Sequence, residues 1–177
     1  MARGETSREK ILEAASDLAF RQGAAHLSLD AVAACAGVSK GGLLYNFPNK
    51  AALMKALVEK YMNEFRTRLE EATEGEDRNL PLRYLDLTAA KLEQETPSSS
   101  GLLAALAEDP SLLAPVKAFN RELVDRMKAG GKDVGAILVL FLVLEGMRAQ
   151  NVFGTAILEP EERRLVLERV ASLIGAA

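Results

Sequence analysis

Residues 28–50, SLDAVAACAGVSKGGLLYNFPNK, pack the signals for two short helices around one glycine turn. Ser28 stands where an N-cap belongs, its hydroxyl able to accept from an amide two or three residues on. The first helix then ends near Ala36, Gly37-Val38-Ser39 forms the turn, and Lys40 to Phe47 forms a second helix stopped by Pro48. Gly37 supplies a backbone conformation that a residue with a side chain adopts reluctantly. Val38 is placed to pack back on Val32 and Ala33, and Ser39 to cap the second helix. Two short helices joined by three residues containing glycine make a helix-turn-helix, whose second helix projects its N-terminal turn toward phosphate and base edges.

Working outward, the pattern is helical nearly everywhere and alternating strands are not evident. Upstream, Thr6 or Ser7 caps a helix from Ser7 to Gln22 with Ile11, Ala15, Leu18 and Ala19 on one stripe, stopped by Gly23. Downstream, Asn49 caps a long helix from Lys50 to about Glu71, where Leu53, Leu57, Tyr61, Phe65 and Leu69 recur every fourth residue. Further helices are expected over Leu80–Glu95, from Asp109-Pro110 toward Met127, over Val134–Phe153, and from Glu159-Pro160 to the end. The fold class is therefore all-α with about nine helices. A three-helix DNA-binding head, residues 1–49, precedes a helical body for ligand binding and dimerisation, residues 50–177.

Composition narrows the function classes. Residues 1–60 hold 8 Lys and Arg against 6 Asp and Glu, whereas the remainder holds 14 against 19. A mildly basic head on an acidic body is compatible with DNA binding without demanding it. One cysteine excludes an internal disulfide and fits a reducing compartment. The N-terminal stretch lacks the apolar segment of a signal peptide, so a cytoplasmic location is expected. The longest apolar run, Val134–Leu144, is 11 residues, short of the ~20 a membrane span needs, so a buried helix and no membrane partner are expected. A single His26 and a single Cys35 make a His-dependent triad or a His/Cys metal site hard to assemble. The expectation is a protein that is not an enzyme and carries no metal or cofactor. Cys35 is read as a small core residue and His26 as a loop or packing residue.

The helix-turn-helix stretch resembles the DNA-binding domain of the TetR family of repressors over roughly residues 7–55. The match lies in Ala36-Gly37-Val38-Ser39-Lys40-Gly41, then Phe47, then Lys50. Ser28 stands where the family often has Thr, Leu44 at a usual Tyr with Tyr45 one position later, Asn46 at a common His, and Gly42 at a side chain that often reaches DNA. The resemblance implies a homodimeric, ligand-responsive transcriptional regulator on palindromic operator DNA. It implies phosphate contacts from Lys40, Tyr45 and Lys50, hydroxyl contacts from Ser28 and Ser39, and Gly42, Leu43 and Asn46 at or near the bases. The residues themselves also allow Leu43, Leu44 and Phe47 as core of the three-helix head, Phe47 foremost. Gly41-Gly42 weaken a helix by roughly 1 kcal/mol each relative to alanine. They mark either a loose loop or, the reading favoured here, close approach of the backbone to DNA. A homodimeric module binding small molecules or proteins without specific DNA binding is the alternative.

The body supplies two further expectations. Val134–Phe153 is too apolar for an ordinary amphipathic helix and should be buried both in its own subunit and against a twin. The last helix offers Val166, Val170, Leu173 and Ile174 as a seam. Aromatic, Met and Leu residues exceed what one small core needs, which predicts a small, largely apolar effector. Its walls are expected to be Met62, Phe65, Tyr84, Leu87, Thr88, Leu103, Leu106, Phe119, Leu123 and Phe141, with Glu145 and Arg148 as polar members. Those two lie one turn apart and are expected first of all to pair with each other, ahead of anchoring a ligand or crossing the dimer interface.

Overall fold

The computed structural model describes residues 6–22, 27–74, 76–94 and 113–175. Among these residues there are eight α-helices: α1 Ser7–Gln22, α2 Leu29–Ala36, α3 Lys40–Asn46, α4 Lys50–Thr73, α5 Leu80–Gln94, α6 Leu113–Gly130, α7 Val134–Phe153 and α8 Pro160–Gly175. A 3₁₀ turn, Asp77–Asn79, leads into α5. His26, the expected start of α6 at Asp109-Pro110, and the expected wall residues Leu103 and Leu106 lie outside the described residues.

The chain forms two compact units, one containing residues up to Tyr61 and the other beginning at Met62. In the first, α1 starts with a reciprocal cap: the Thr6 amide donates to Glu9 Oε2 at 2.7 Å, and the Glu9 amide to Thr6 Oγ1 at 3.2 Å. Ile11, Leu12, Ala14, Ala15 and Ala19 bury one face of α1, and Val32 and Ala33 bury the inner face of α2. The first half of α4 belongs to this unit, with Leu53, Met54, Leu57 and Val58 buried, and the Ser16 and Tyr61 hydroxyls share a hydrogen bond of 2.8 Å. One helix, α4, thus supplies core to both units, through Leu53 and Leu57 to the first and Leu69 to the second. Cys35, expected in the core, is exposed. Val32 and Ala33 already fill the inner face, and Cys35 lies about 110° around the helix from its centre.

In the second unit the core gathers Leu69 of α4, Tyr84 and Leu85 of α5, Phe119, Leu123 and Met127 of α6, and Ile137, Leu140 and Leu144 of α7. Val170 of α8 is buried in that same core, with Ile174 packed against it. Val170 thus faces its own core, which sets it apart from the expected intersubunit seam. Asp133 caps α7, its Oδ1 accepting from the Ala136 amide at 2.9 Å, and Gly154 ends it in the left-handed conformation with φ 65°. The apolar character of α7 continues past Leu144: Val134–Asn151 is long and apolar enough to cross a membrane by length and composition. One face of this helix is core, whereas Val134, Leu138, Val139 and Leu142 are exposed, Leu142 by 67%.

The end of α6 is locked onto the 3₁₀ turn. Arg126 Nη2 donates to Asp77 Oδ1 at 2.8 Å, and that hydrogen bond holds the guanidinium above its ordinary pKa. A Cβ at Gly130 would lie 2.7 Å from the Asp77 carbonyl oxygen and 2.9 Å from its carbon. The clash is with backbone, so no side chain can swing aside. Gly130→Ala should therefore lower stability by roughly 1–2 kcal/mol, the overpacking penalty outweighing alanine's better helix propensity. Thermal unfolding followed by circular dichroism reads this as a lower midpoint; an equal or higher midpoint contradicts the close approach.

Candidate nucleic-acid interface and effector site

The recognition unit is built by its caps. Ser28 is extended, and its Oγ accepts from the Ala31 amide at 3.1 Å to start α2. Gly37 adopts φ 65°, and the Val38 amide donates back to the Ala33 carbonyl at 3.0 Å, closing α2 and reversing the chain. Ser39 Oγ then accepts from the Gly42 amide at 3.0 Å and starts α3. Both serine hydroxyls are used here as acceptors and keep an O–H to donate to an anion. Asn49 Oδ1 accepts from the Ala52 amide at 2.8 Å, capping α4 just ahead of Lys50.

Helical through Gly41-Gly42, α3 rules out the loose-loop reading of that pair for the free protein. Its inner face is Leu43, 0% exposed, with the following Phe47 also buried and the Arg8 guanidinium 5.3 Å from the Phe47 ring centroid. Leu43, expected at the bases, is thus a core anchor, because only one of two adjacent leucines can face inward on a helix. Its neighbour Leu44 is 37% exposed and shares the outward face with Lys40, Gly41 and Tyr45, the last 91% exposed. The pairing of Leu43 with Phe47 at helical spacing was the available signal for this rotation.

Two further contacts tune this surface. Lys40 Nζ is 2.9 Å from Asp30 Oδ1, both side chains well exposed, so the ion pair holds the ammonium at little net energy. Asn46 Nδ2 donates to the Gly42 carbonyl at 2.9 Å, which uses one of its two N–H groups inside α3 and leaves the other N–H and Oδ1 for outside partners. A Cβ at Gly41 would meet only Ser39 Oγ, at 4.0 Å. Packing within the free chain does not require glycine there.

The second cluster lies wholly within the second unit. Glu145, on α7, accepts from the Tyr84 hydroxyl at 3.0 Å and from Arg148 Nη1 at 2.7 Å, both on Oε1. Asn120 Nδ2 reaches the other oxygen, Oε2, at 3.4 Å. Burial, and then the negative charge of Glu145, push the Tyr84 phenol well above its ordinary pKa, so it stays a neutral donor. Aromatic rings surround the pair. Phe65 meets Tyr84 and Phe119 edge-on, each at 6.1 Å between centroids, and Tyr84 stacks with Phe141 at 6.2 Å. The Arg148 guanidinium lies 5.7 Å over Phe65, and Arg66 lies 5.4 Å over Phe119. Leu123 is buried in this core, with Met62 and Leu87 packed against it. The Thr88 hydroxyl is buried and has no hydrogen bond of normal geometry, although it lies near enough to Tyr84 to lower that phenol's pKa slightly. The Glu145–Arg148 pairing follows from helical spacing. Asn120 was missed, since nothing in a polar residue on an amphipathic helix distinguishes it from a solvated one. Among the described residues, no three His, Cys, Asp or Glu side chains are grouped to hold a metal ion.

Comparison with known proteins matches each part of the chain. Residues 11–57 match the family described as bacterial regulatory proteins, tetR family, and residues 78–175 match the tetracyclin repressor-like C-terminal domain. The HTH-type transcriptional regulator TtgR of Pseudomonas putida is 36% identical over 78 residues, 44% of this chain. That segment spans only 37% of the length of TtgR. The multidrug binding protein EbrR, solved in complex with ethidium, superimposes with a TM-score of 0.67 at 27% identity, covering 95% of this chain and 99% of EbrR. A transcriptional regulator from Streptomyces coelicolor A3(2) has the same fold, with a TM-score of 0.72 at 23% identity over 95% of this chain and 98% of its own. With a cap-defined helix-turn-helix and a helical body each matched by its counterpart, the chain belongs to the TetR family of bacterial transcriptional regulators.

Proposed function

We propose that this chain is a cytoplasmic repressor that binds a palindromic operator as a homodimer and is released by a small, largely apolar effector. The observation that carries the DNA reading is the outward face of α3. Tyr45 is almost fully exposed, and Gly41 meets nothing that needs glycine. Neither feature benefits the free chain, whereas both suit a helix laid closely in a major groove. In this reading Lys40, Tyr45, Lys50, Ser28 and Ser39 contact phosphate, and the Gly41-Gly42 backbone and Leu44 approach the bases. Leu44 replaces Leu43 in that role, suited to apolar contact with a thymine methyl. Asn46 shapes the last turn of α3 and offers Oδ1 and its second N–H.

The exposed stripe of α7 supports the dimer. Leu138, Val139 and Leu142 lie on one outward face with small Gly146 and Ala149 continuing it, and Leu165 of α8 is 54% exposed. A second copy covers this apolar surface and sets two recognition helices about one DNA turn apart, ~34–36 Å or somewhat more. The effector site is the aromatic cluster around Glu145. The complex of EbrR with ethidium supports small-molecule binding in this body. Because α4 supplies Leu57 to the first unit and Phe65 to the second, an effector that shifts Phe65 acts on the helix that also anchors the head. It releases DNA only if it binds the DNA-incompetent arrangement more tightly.

The deciding experiment is salt-dependent binding to DNA from upstream of the chain's own gene. A Lys40/Tyr45/Lys50 triple alanine variant should lose that binding, and Lys50→Ala alone should reduce the salt slope by ~1. Unchanged affinity in the triple variant overturns the assignment of these contacts, and absence of salt-dependent binding by the parent protein favours the module without specific DNA binding. Gly41→Ala separates fold from function: it should stabilise the free protein by up to about 1 kcal/mol yet weaken operator binding. A stabilised variant with full affinity rejects the close approach. For the dimer, Leu142→Glu should sediment at micromolar concentration as the 19.1 kDa monomer while the parent protein sediments at twice that mass. A monomeric parent contradicts the seam.

A further inference from the structure

We propose that Glu145 and its surrounding rings form a recognition site for a lipophilic organic cation, and that Arg148 is an internal cation which such a ligand displaces. The inference rests on the reading that the second unit binds an effector and names the chemical class of that effector. Its starting point is the unequal loading of the two Glu145 oxygens. Oε1 accepts from both Tyr84 and Arg148, at 3.0 and 2.7 Å, whereas Oε2 has only the 3.4 Å contact from Asn120. One side of a partly buried carboxylate is therefore under-satisfied.

The fixed and movable partners differ in charge. Tyr84 comes from α5 and Asn120 from α6, and both are neutral donors that hold the carboxylate in place whether or not Arg148 stays. Arg148 is the cationic partner, on a long side chain that remains 28% exposed and can swing toward solvent. When it leaves, the site keeps a net negative charge beside the faces of aromatic rings. Those rings already attract cations: guanidinium groups lie over Phe65 and Phe119 at 5.7 and 5.4 Å. An aromatic or alkylated cation restores both the Coulomb partner of Glu145 and the cation-π contact on Phe65, while its apolar surface packs on Tyr84, Phe119 and Phe141. The buried Thr88 hydroxyl beside Tyr84 gives such a ligand one unused polar partner.

The competing charges fit less well. An anion drawn by Arg148 has to sit beside Glu145, which its two neutral donors prevent from moving away. A neutral ligand that enters by separating the pair leaves two partly buried charges uncompensated, which is strongly unfavourable.

The test uses three probes of similar size and different charge on the full chain: tetraphenylphosphonium, triphenylphosphine oxide and tetraphenylborate, titrated by calorimetry in the absence of DNA. Tetraphenylphosphonium should bind at least tenfold more tightly than the other two. Glu145→Gln, which keeps the shape and an acceptor for the Tyr84 hydroxyl and turns the Asn120 amide so that its oxygen accepts from the new NH2, should weaken phosphonium binding tenfold or more. Arg148→Ala should tighten it severalfold by removing the internal competitor, and near-ultraviolet circular dichroism of each variant reports that the aromatic core is intact. Should Glu145→Gln fail to fold, the Arg148→Ala result decides alone. Preference for the borate or the phosphine oxide, or weaker phosphonium binding in Arg148→Ala, overturns the cation site while leaving an effector site in place. Failure of all three probes to bind the parent protein and Arg148→Ala overturns both readings together.

Discussion

A helix as apolar as α7 places a demand on everything around it, because each of its faces must find a nonaqueous partner or stand exposed to water. Its inner face is met within the chain: Ile137, Leu140 and Leu144 close on Tyr84, Leu123 and Met127. Around these contacts the second unit is organised, with α5, α6 and α8 each contributing side chains to the same core. The outer face, through Leu138, Val139 and Leu142, has no counterpart among the described residues. Asp133 as N-cap and Gly154 as left-handed terminus fix where that stripe begins and ends. The proposed two-fold seam is the counterpart the helix lacks on its own.

The same helix carries the unit's least expected charge. Glu145 interrupts an apolar surface, and a carboxylate there is tolerable only when partnered. Three donors from three helices converge on it, so the ion pair with Arg148 is part of a wider arrangement and not an isolated surface bridge. A half-buried pair of this kind is weak evidence for stability, since well-packed apolar residues often serve as well. Its position among Phe65, Phe119 and Phe141, with Tyr84 kept neutral by burial, is better explained by recognition of something that enters.

Much of this was legible in residues read alone, and the failures share a cause. Caps and glycine turns depend on local chemistry, so Ser28, Gly37, Ser39 and Asn49 mark real helix ends in the structure. Periodicity likewise found the stripe of α4 and the Glu145–Arg148 pair, which lie one turn apart. Rotation about a short helix was harder. In α3 a shift of one residue turns the face by about 100°, and that put Leu43 at the bases although it is buried in the core. The same uncertainty put Cys35 inside and assigned Val170 to a partner instead of its own core. Contacts between distant residues left no local trace at all. The Lys40–Asp30 pair, the stacking of Arg8 on Phe47, and the reach of Asn120 to Glu145 depend on how helices cross.

The recognition helix and the aromatic site are joined by a common economy. In each, the free chain holds a feature that does it no local good: Tyr45 in water, Gly41 inside a helix, Thr88 without a normal partner. Such departures from local consistency concentrate where a structure is completed by something outside it. Their energies also limit how regulation can work. An effector that moved the equilibrium between DNA-competent and DNA-incompetent states from 1:99 to 99:1 would need about 5.5 kcal/mol of differential affinity. Exchanging Arg148 for a ligand at Glu145 gains only the difference between two cations on one carboxylate, and so cannot supply all of it. The larger share must come from apolar contact with the rings and from whatever rearrangement parts them. Phe65 then becomes the pivotal side chain, since it touches Tyr84, Phe119 and the Arg148 guanidinium at once while riding on α4. Whatever separates those rings must displace a residue of the helix whose first half anchors the DNA-binding head.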